Sequence, residues 1–257
     1  VVAEVGRDVG DWHPGDRVTF DSTISCGHCV FCRKAQWNLC KSRRVLGVSC
    51  KEYRRDGAMC QFVAVPQYVL HRLPDDLSFE QAAMAEPLSV ALHAVRHASP
   101  VNSDCVVIVG SGVIGLLAVQ ALRVAGVARV LAVDVDSSRL ELACELGAAA
   151  GLRSGAVDVI AEVARLTGGE GADIAVEAVG IAETVQVAIG SVRKGGRVVL
   201  VGNLEQSVPF PLQAAVTREL TVYGSCASSG EYPECLGLLA RGAVRVGPLI
   251  GAVAPLA

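Results

Sequence analysis

From Cys105 onward, short apolar runs alternate with amphipathic segments, and this alternation constrains the fold more than any other feature of the chain. The apolar runs are CVVIVG, ARVLAVD, ADIAVEAVG, GRVVLVGN and LTVYGS, and helical patterns such as VIGLLAVQALRVAG separate them. Continuous apolar runs of about five residues are typical of strands buried on both faces. Such strands joined by helices form βαβ units. The sequence therefore predicts an α/β fold with a doubly wound parallel sheet.

A glycine-rich turn joins the first of these strands to the helix that follows it. In VVIVGSGVIGLLAVQAL, Gly110, Gly112 and Gly115 stand in the G-x-G-x-x-G register. The first glycine permits a tight turn, the second lets backbone amides approach a pyrophosphate, and the third allows close packing of helix on strand. Three glycines alone also occur as loop punctuation. Strand, glycines and helix in this order predict a dinucleotide-binding Rossmann domain.

An acidic residue closes the next strand. Asp134 follows Gly115 by nineteen residues. A carboxylate in this place accepts hydrogen bonds from both ribose hydroxyls and repels a 2′-phosphate, so the sequence predicts NAD rather than NADP. Arg139 lies at the start of the following helix, where it can stack over the adenine or contact the ribose. A solvated helix charge is the alternative interpretation of Arg139.

Four cysteines crowd into the first part of the chain: Cys26, Cys29, Cys32 and Cys40, spaced C-x2-C-x2-C-x7-C. Tight turns at x2 spacing bring thiolates round one tetrahedral ion, and four protein ligands leave no position for substrate, so we predict structural zinc. Disulfides between such close neighbours are strained, and an iron–sulfur cluster more often has a shorter last interval. A zinc ribbon that grips nucleic acid is a rival, because five basic residues lie nearby: Arg33, Lys34, Lys41, Arg43 and Arg44.

Composition counts against that rival. The 257 residues carry a formal charge of −3 at pH 7, which argues against nucleic acid or a membrane surface as a partner. No uncharged apolar run reaches the roughly 18 residues of a spanning helix. No leader is visible, so we expect a cytoplasmic protein with reduced cysteines. The chain opens on VVAEVG, which resembles an interior strand, and we therefore expect that the N-terminus has been lost.

The first 75 residues predict a different kind of domain. Short β-like runs, VVAEVG, DRVTF, AMCQFVAVP and YVLHRLP, are broken by Gly, Pro and Asp. This pattern indicates an antiparallel, hairpin-rich domain interrupted by the cysteine lobe. From Ser78 the pattern becomes helical, with Ser78 as N-cap and Pro87 interrupting or restarting the helix.

With these features in place, the chain resembles the zinc-containing medium-chain alcohol and polyol dehydrogenases, in the sorbitol and threonine dehydrogenase branch. The resemblance covers essentially the whole chain and rests on VVAEVGRDVGDWHPGDRV, the cysteine lobe, EPLSVALHAV, GSGVIG, VDVDSSRL, GGRVVLVG and LTVYGSCASSGEYPECLGLL. It implies a partial GroES-like β-rich catalytic domain over residues 1–89, with the structural zinc lobe at about 25–45. A Rossmann NAD-binding domain over 90–226 and a return segment over 227–257 complete the implied organisation.

The resemblance also assigns site residues. It implies a catalytic zinc bound by a Cys and a His upstream of position 1 and by Glu86, whose carboxylate, taken without the resemblance, is a charge favoured at a helix start. It implies cofactor contacts that add to the glycines, Asp134 and Arg139: Ile114, Val201, Gly202, Asn203, Ser225 and Cys226. Ser225 and Cys226 are expected near the nicotinamide.

The implied function is a zinc-dependent transfer of hydride from a secondary alcohol to NAD. Polyols, sugar-alcohol phosphates and hydroxy amino acids are all candidate substrates, since Ala227 stands where animal sorbitol enzymes carry an Arg. A non-catalytic zinc- and NAD-binding fragment, and a quinone or enoyl reductase relative, are the alternatives. The chain resembles a core fragment of the enzyme, truncated at both ends, and a homo-oligomer, dimer or tetramer, is expected.

The remaining histidines and cysteines suggest no further chemistry. His93 falls among apolar neighbours on a helix and is interpreted as a packing residue. His71 and His97 are expected at the surface or in loops, and His28 is expected to be an exposed loop residue rather than a fifth zinc ligand. The six outlying cysteines are interpreted as small buried apolar groups: Cys50, Cys60, Cys105, Cys144, Cys226 and Cys235.

Overall fold

The computed structural model describes residues 1–48 and 50–255. These divide into two compact units, the first formed by residues 1–89 together with 227–257 and the second by residues 90–226. Within the described ranges, every helix is too short or too polar to cross a membrane.

The first unit contains five short strands: β1 (Val18–Phe20), β2 (Thr23–Ile24), β3 (Arg44–Leu46), β4 (Arg54–Arg55) and β5 (Leu70–Arg72). Strand β1 pairs antiparallel with β5. Strand β3 pairs antiparallel with β2 and parallel with β4. The predicted antiparallel pairing is found for β1 with β5 and for β2 with β3, which precede and follow the cysteine lobe in sequence, but it is wrong for β3 with β4, which are parallel.

Two strand predictions in this unit are wrong. Residues 1–6 and 58–66 adopt no strand. In the first stretch only Val2 makes ladder-like bonds, through the backbone of Gly15 and Asp16. In the second, Met59 and Phe62 remain 95% and 71% exposed. A β-like sequence forms a strand only when a neighbouring strand supplies its hydrogen bonds, and the described residues provide none here.

Two helices follow, α1 (Phe79–Ala83) and α2 (Ala85–Ala98). Ser78 caps α1 as predicted: its hydroxyl accepts a hydrogen bond from the Gln81 N–H at 3.2 Å, and the Gln81 side chain accepts one from the Ser78 N–H at 3.1 Å. This reciprocal pair satisfies two amides that a helix start leaves open. Helix α2 restarts at Ala85, with Pro87 in its first turn, where its missing N–H costs nothing.

The second unit is built on a six-stranded parallel sheet. Its strands are β6 (Cys105–Val109), β7 (Arg129–Asp134), β8 (Ala150–Arg153), β9 (Ala172–Glu177), β10 (Val192–Leu200) and β11 (Thr221–Gly224). Their order across the sheet is β11-β10-β9-β6-β7-β8. The chain starts at β6, proceeds to one edge, and returns to add β9 on the other side. This reversal between β6 and β9 is the point at which doubly wound sheets bind ligands.

Helices link the strands: α3 (Val113–Val124), α4 (Ser137–Glu145), α5 (Val159–Leu166), α6 (Ala182–Ser191) and α7 (Leu212–Thr217). The central strands are buried on both faces, with Val106, Val107 and Ile108 of β6 wholly inaccessible to solvent. The doubly wound fold class is therefore confirmed. The apolar-run pattern missed β8, whose sequence AGLR is short and half polar, and also the short helix α7.

The chain ends in the first unit with α8 (Tyr232–Ala240) and a 3-10 turn at Gly247–Leu249. The segment before α8 contacts the cysteine lobe. The Trp37 N–H donates to the Ser229 hydroxyl at 2.8 Å, and that hydroxyl donates to the Ala35 carbonyl at 2.7 Å. Residues far apart in sequence thus complete one unit.

Candidate dinucleotide and metal sites

The glycine-rich loop between β6 and α3 has the geometry that its sequence predicted. Gly110 has φ of +97°, a conformation that other residues rarely adopt. A Cβ on Gly115 would lie 1.8 Å from the Gly110 carbonyl oxygen, so only glycine lets α3 approach the strand. A Cβ on Gly112 would meet nothing within 4 Å. Gly112 therefore leaves open space in front of the helix N-terminus, and Ile114 lies half-buried in the first turn.

The carboxylate of Asp134 lies beside this loop. Asp134 ends β7, is 8% exposed, and accepts a hydrogen bond from the Ser111 N–H at 2.7 Å. Its other oxygen accepts from the Asp136 N–H at 3.0 Å. The guanidinium of Arg139 lies 3.8 Å from the same carboxylate. The structure thus brings the predicted acid and the predicted arginine together next to the glycine turn, with the charge held in a fixed position.

The loops after β9 and β10 pack directly on each other. A Cβ on Gly180 would lie 2.3 Å from the Asn203 nitrogen, and one on Gly202 would lie 2.3 Å from the Gly180 nitrogen. A Cβ on Gly110 would meet Val179 at 2.4 Å. The predicted Val201–Asn203 segment is therefore locked beside the glycine-rich loop, at the carboxyl ends of neighbouring strands.

Two buried polar atoms at this edge of the sheet lack a partner within the described residues. They are Oε2 of Glu177, at the end of β9, and the hydroxyl oxygen of Ser225, just after β11. Glu177 is fully buried, and its other oxygen accepts from the N–H groups of Val179 and Gly180 at 2.9 and 2.8 Å. Unpaired buried polar atoms are costly, so they mark places where a ligand or water completes the structure.

These features fit a bound dinucleotide: an open helix N-terminus, a fixed acid, and unpaired polar atoms along one sheet edge. Cys226 follows Ser225 and is exposed, so its thiol is accessible there. Glu177 was missed by the sequence analysis. The signal was present, because the run ADIAVE ends in an acid in the same way as VLAVD does.

The four cysteines of the lobe converge on one point. Their Sγ atoms all lie within 4.8 Å of one another, with 3.9 Å between Cys26 and Cys32 and 3.6 Å between Cys29 and Cys32. Four sulfurs at 2.3 Å from a tetrahedral zinc are about 3.8 Å apart. The cluster therefore fits a zinc ion, and with all four positions taken by sulfur it leaves none for substrate. His28 is exposed, as predicted.

The thiols of the cluster differ in their electrostatic setting. Hydrogen bonds from the backbone N–H groups of Cys32 and Lys41 lower the pKa of Cys29. Burial, followed by the neighbouring thiols of Cys29 and Cys40, raises the pKa of Cys32. Cys29 therefore favours the thiolate, whereas Cys32 favours the protonated thiol. A zinc ion stabilises the thiolate form of all four side chains, since zinc binds thiolates rather than thiols.

Glu86 lies in the first turn of α2, in the first unit. Its side chain is reached by solvent, yet surrounding protein atoms desolvate the carboxylate and raise its pKa, and the negative charge of Asp21 adds to the shift. Burial likewise raises the pKa of Asp21 and lowers that of His71. Asp21, His71 and Tyr232 line a cavity of about 570 Å³ in this unit, and the rings of His71 and Tyr232 stack at 5.0 Å.

The surroundings of Glu86 do not make up a metal centre. In the described part of the chain, the cysteine cluster is the only group of three or more side chains placed to hold one ion. Glu86 can offer a single ligand, and one ligand is too few for a catalytic zinc. Asp21 and Tyr232 were missed by the sequence analysis: Asp21 lies in no recognisable motif, and Tyr232 lies in the quoted stretch LTVYGSCASSGEYPECLGLL but was assigned no role there.

Several predictions for isolated residues need correction. His71 is not a loop residue but lies half-buried in β5. His93 is half-buried rather than enclosed, and it pairs with the exposed His97. Of the six outlying cysteines only Cys105 and Cys235 are buried; the other four are exposed, at positions 50, 60, 144 and 226. Apolar sequence neighbours did not indicate which side of an element or loop each thiol occupies.

Comparison with known proteins identifies the family of the chain. Residues 1–75 match the model of the alcohol dehydrogenase GroES-like domain, and residues 113–241 match that of zinc-binding dehydrogenases. The chain is 37% identical to L-idonate 5-dehydrogenase of Vitis vinifera over 254 residues, which cover 97% of the chain and 68% of that enzyme. It is 32% identical to sorbitol dehydrogenase of Bacillus subtilis over 244 residues, 95% of the chain and 68% of that enzyme.

Among solved structures, a zinc-binding dehydrogenase of Sinorhizobium meliloti 1021 with bound NADP superposes with a TM-score of 0.87 at 32% identity. The superposition covers 99% of this chain and 78% of that one. The fold, the glycine-rich loop, the cysteine cluster and the relatives all indicate the same family. The chain belongs to the family of zinc-containing alcohol and polyol dehydrogenases, which are oxidoreductases.

Proposed function

We propose that this chain binds NAD along the carboxyl edge of its parallel sheet and oxidises a secondary alcohol of the polyol class. The observation that carries the proposal is the hydrogen bond from the Ser111 N–H to Asp134 at 2.7 Å, which fixes an acid beside an open glycine turn. A carboxylate held there accepts ribose hydroxyls and repels a 2′-phosphate. The relatives named as L-idonate and sorbitol dehydrogenases support the polyol class of substrate.

The residues of the second unit have defined roles in this proposal. Gly112 admits the pyrophosphate to the helix N-terminus, and Gly110 and Gly115 shape the turn. Asp134 and Arg139 contact the adenosine ribose, and Ile114 and the Val201–Asn203 segment flank the cofactor. Ser225 and Cys226 lie at the nicotinamide end. When bound, NAD supplies the acceptor for the hydride of the alcohol.

The first unit supplies a scaffold and one acid. Residues 1–89 and 227–257 form the GroES-like catalytic domain, in which Cys26, Cys29, Cys32 and Cys40 hold structural zinc. Glu86 is one ligand of a catalytic metal whose remaining ligands are not among the described residues. The alternatives, a quinone or enoyl reductase and a non-catalytic fragment, are less favoured because the curated relatives are polyol dehydrogenases.

Assembly and location complete the proposal. We propose a homo-oligomer, since the edge strand β11 has no partner on its outer side in the described chain. We propose a reducing, cytoplasmic setting, because no disulfide joins the ten cysteines, which all lie in the described ranges, and four of them are exposed outside the cluster.

The test combines binding and turnover. Calorimetric titration should show NAD binding to the zinc-loaded chain more tightly than NADP. NADH formation, followed by absorbance, should occur with polyols such as sorbitol or L-idonate and not with primary alcohols of the same length. Failure to bind NAD, or equal affinity for NADP, would contradict the cofactor assignment. Binding without turnover on any polyol would support the non-catalytic alternative for this chain.

A further inference from the structure

Two histidines near the end of α2 lie outside both sites described above. His93 and His97 are separated by four residues and therefore share one face of the helix. Their Nε2 atoms lie 3.2 Å apart, and their rings are nearly perpendicular, with an interplanar angle of 86°. We propose that His93 and His97 form a binding site for a divalent transition-metal ion.

The distance between the two nitrogens suits such an ion. Two imidazole nitrogens at 2.0–2.1 Å from a tetrahedral cation are about 3.3 Å apart. In the metal-free chain, one Nε2 donates its proton to the other, because a neutral imidazole has one donor and one acceptor nitrogen. When a cation binds, the donating ring carries its proton on Nδ1 instead, so that the Nε2 atom of each neutral ring donates a lone pair to the ion.

The site is accessible and its helix is held in place. His93 is half-buried and His97 is exposed, so an ion reaches both from solvent. The opposite face of α2 packs into the protein through Ala91, Ala94 and Ala98, all fully buried. The ring of His97 also stacks on Tyr223 of β11, with centroids 6.1 Å apart.

The C-terminal end of the helix is also fixed. Arg197 donates to the carbonyls of Ala98 and Ser99 at 2.6 and 2.7 Å, and it pairs with Asp104 at 2.7 Å. The last turn therefore does not need to be ordered when the ion binds, and the entropic cost of bringing the two rings together is reduced. The nearby charge of exposed Arg96 opposes a cation, which limits affinity.

Ligand chemistry selects the class of ion. Imidazole nitrogen suits zinc, copper and nickel, whereas calcium and magnesium prefer oxygen. Two protein ligands leave the other coordination positions to water. The site is distinct from the cysteine cluster, whose four sulfurs already satisfy one zinc.

The experiment uses the zinc-loaded chain under reducing conditions, titrated with Ni²⁺ and followed by calorimetry and by nitrogen-15 NMR of the histidines. We expect one additional Ni²⁺ per chain, with the Nε2 signals of His93 and His97 perturbed and that of His13 unchanged. His93→Ala and His97→Ala should each lose this additional equivalent. His13→Ala, which removes an exposed histidine elsewhere, should retain it.

Further measurements distinguish loss of the ion site from misfolding of a variant. His97→Gln keeps a polar side chain at the position and should also lose the ion while its melting temperature without Ni²⁺ stays that of the parent. Mg²⁺ should not bind in place of Ni²⁺. Retention of the additional equivalent in both alanine variants would assign it to exposed thiols and overturn the proposal, as would unperturbed His93 and His97 signals at saturation.

Discussion

In the second unit the glycine loop follows a five-residue strand buried along its whole length, whereas in the first unit the cysteine lobe lies among strands of two or three residues. Close packing positions the loop, since a Cβ on Gly115 would meet the Gly110 backbone and one on Gly110 would meet the Val179 side chain, and the bond from the Ser111 N–H to Asp134 adds to this. Within its described residues the cysteine lobe has no such strand core, although Cys32 and Cys40 are buried, and elsewhere in the first unit Met59 and Phe62 are exposed. We therefore expect local order in the cysteine lobe to depend on the ion that its four cysteines bind.

The largest expected effect follows from removing that ion. Cys32→Ser deletes a buried ligand, so the lobe should lose its zinc and the first unit should lose several kcal/mol of stability. Hydrogen exchange should accelerate in β2 and β3 but not in β6. Cys144→Ser, an exposed cysteine on α4, is the control and should leave both units unchanged. Equal loss of protection in β6 would show that the two units do not differ as described.

The next prediction distinguishes a glycine needed for folding from one needed for NAD binding in the second unit. Gly115→Ala places a Cβ 1.8 Å from the Gly110 carbonyl oxygen, and we expect a loss of about 1–3 kcal/mol in unfolding free energy together with NAD binding. Gly112→Ala meets no atom within 4 Å and should keep the parent's stability while weakening NAD binding. Denaturant unfolding and NAD titration of both variants measure the difference. An unstable Gly112→Ala variant would refute the assignment of open space to the cofactor.

A smaller change concerns cofactor choice. Asp134→Asn removes the charge that repels a 2′-phosphate and weakens a charge-assisted hydrogen bond to the ribose, a combined change of about 1.5–3 kcal/mol. The ratio of NAD to NADP affinity should therefore fall roughly ten- to a hundred-fold. Asp136→Asn is the matched control, because Asp136 caps α4 through Ser138 and is exposed. If the ratio of NAD to NADP affinity is unchanged in Asp134→Asn, residues other than Asp134 select the cofactor.

The smallest predicted effect lies in the first unit and depends on pH. Burial raises the pKa of Asp21, with Glu231 contributing, so the ionised carboxylate destabilises the folded state above that pKa. Asp21→Asn keeps an acceptor for the Thr23 N–H and should stabilise the chain at neutral pH by roughly 1 kcal/mol or less. The gain should vanish as pH falls through the raised folded pKa to below the unfolded value.

Asp16→Asn supplies the opposite case. The Arg72 guanidinium lowers the pKa of Asp16, so its contribution to stability is present above the unfolded pKa and is lost as pH falls through the folded pKa. Thermal unfolding of both variants between acid and neutral pH should therefore give changes of opposite sign. Changes of the same sign would show that the Asp21 environment is misassigned.

Sequence reasoning succeeded where a local pattern and the final environment agree. The strand from Cys105 to Val109 is uniformly apolar and becomes uniformly buried, and Ser78 caps its helix through residues only three positions away. The cysteine cluster was predictable for the same reason, because its spacing alone limits where the sulfurs can lie. The VVAEVG stretch failed because a strand needs a partner, and no local pattern reports whether one is present.

Other features depend on contacts between distant residues. Glu177 is fully buried, and burial raises the pKa of Asp21. The elements that pack over each side chain decide how buried it is, and these elements come from distant parts of the sequence. The pairing of His93 with His97 needed only helical spacing, yet the apolar neighbours on either side in sequence favoured a packing role. On a helix those neighbours lie on the other face. Exposure of Cys144 escaped prediction for the same reason.

The bond between Trp37 and Ser229 spans 192 residues and has a consequence for synthesis on the ribosome. When the cysteine lobe leaves the exit tunnel, the segment that closes its unit has not yet been translated. Residues 90–226 contain all the strands of their own sheet and can fold as they emerge. The order of folding should thus reverse the order of translation, with the dinucleotide unit complete before the unit that begins the chain.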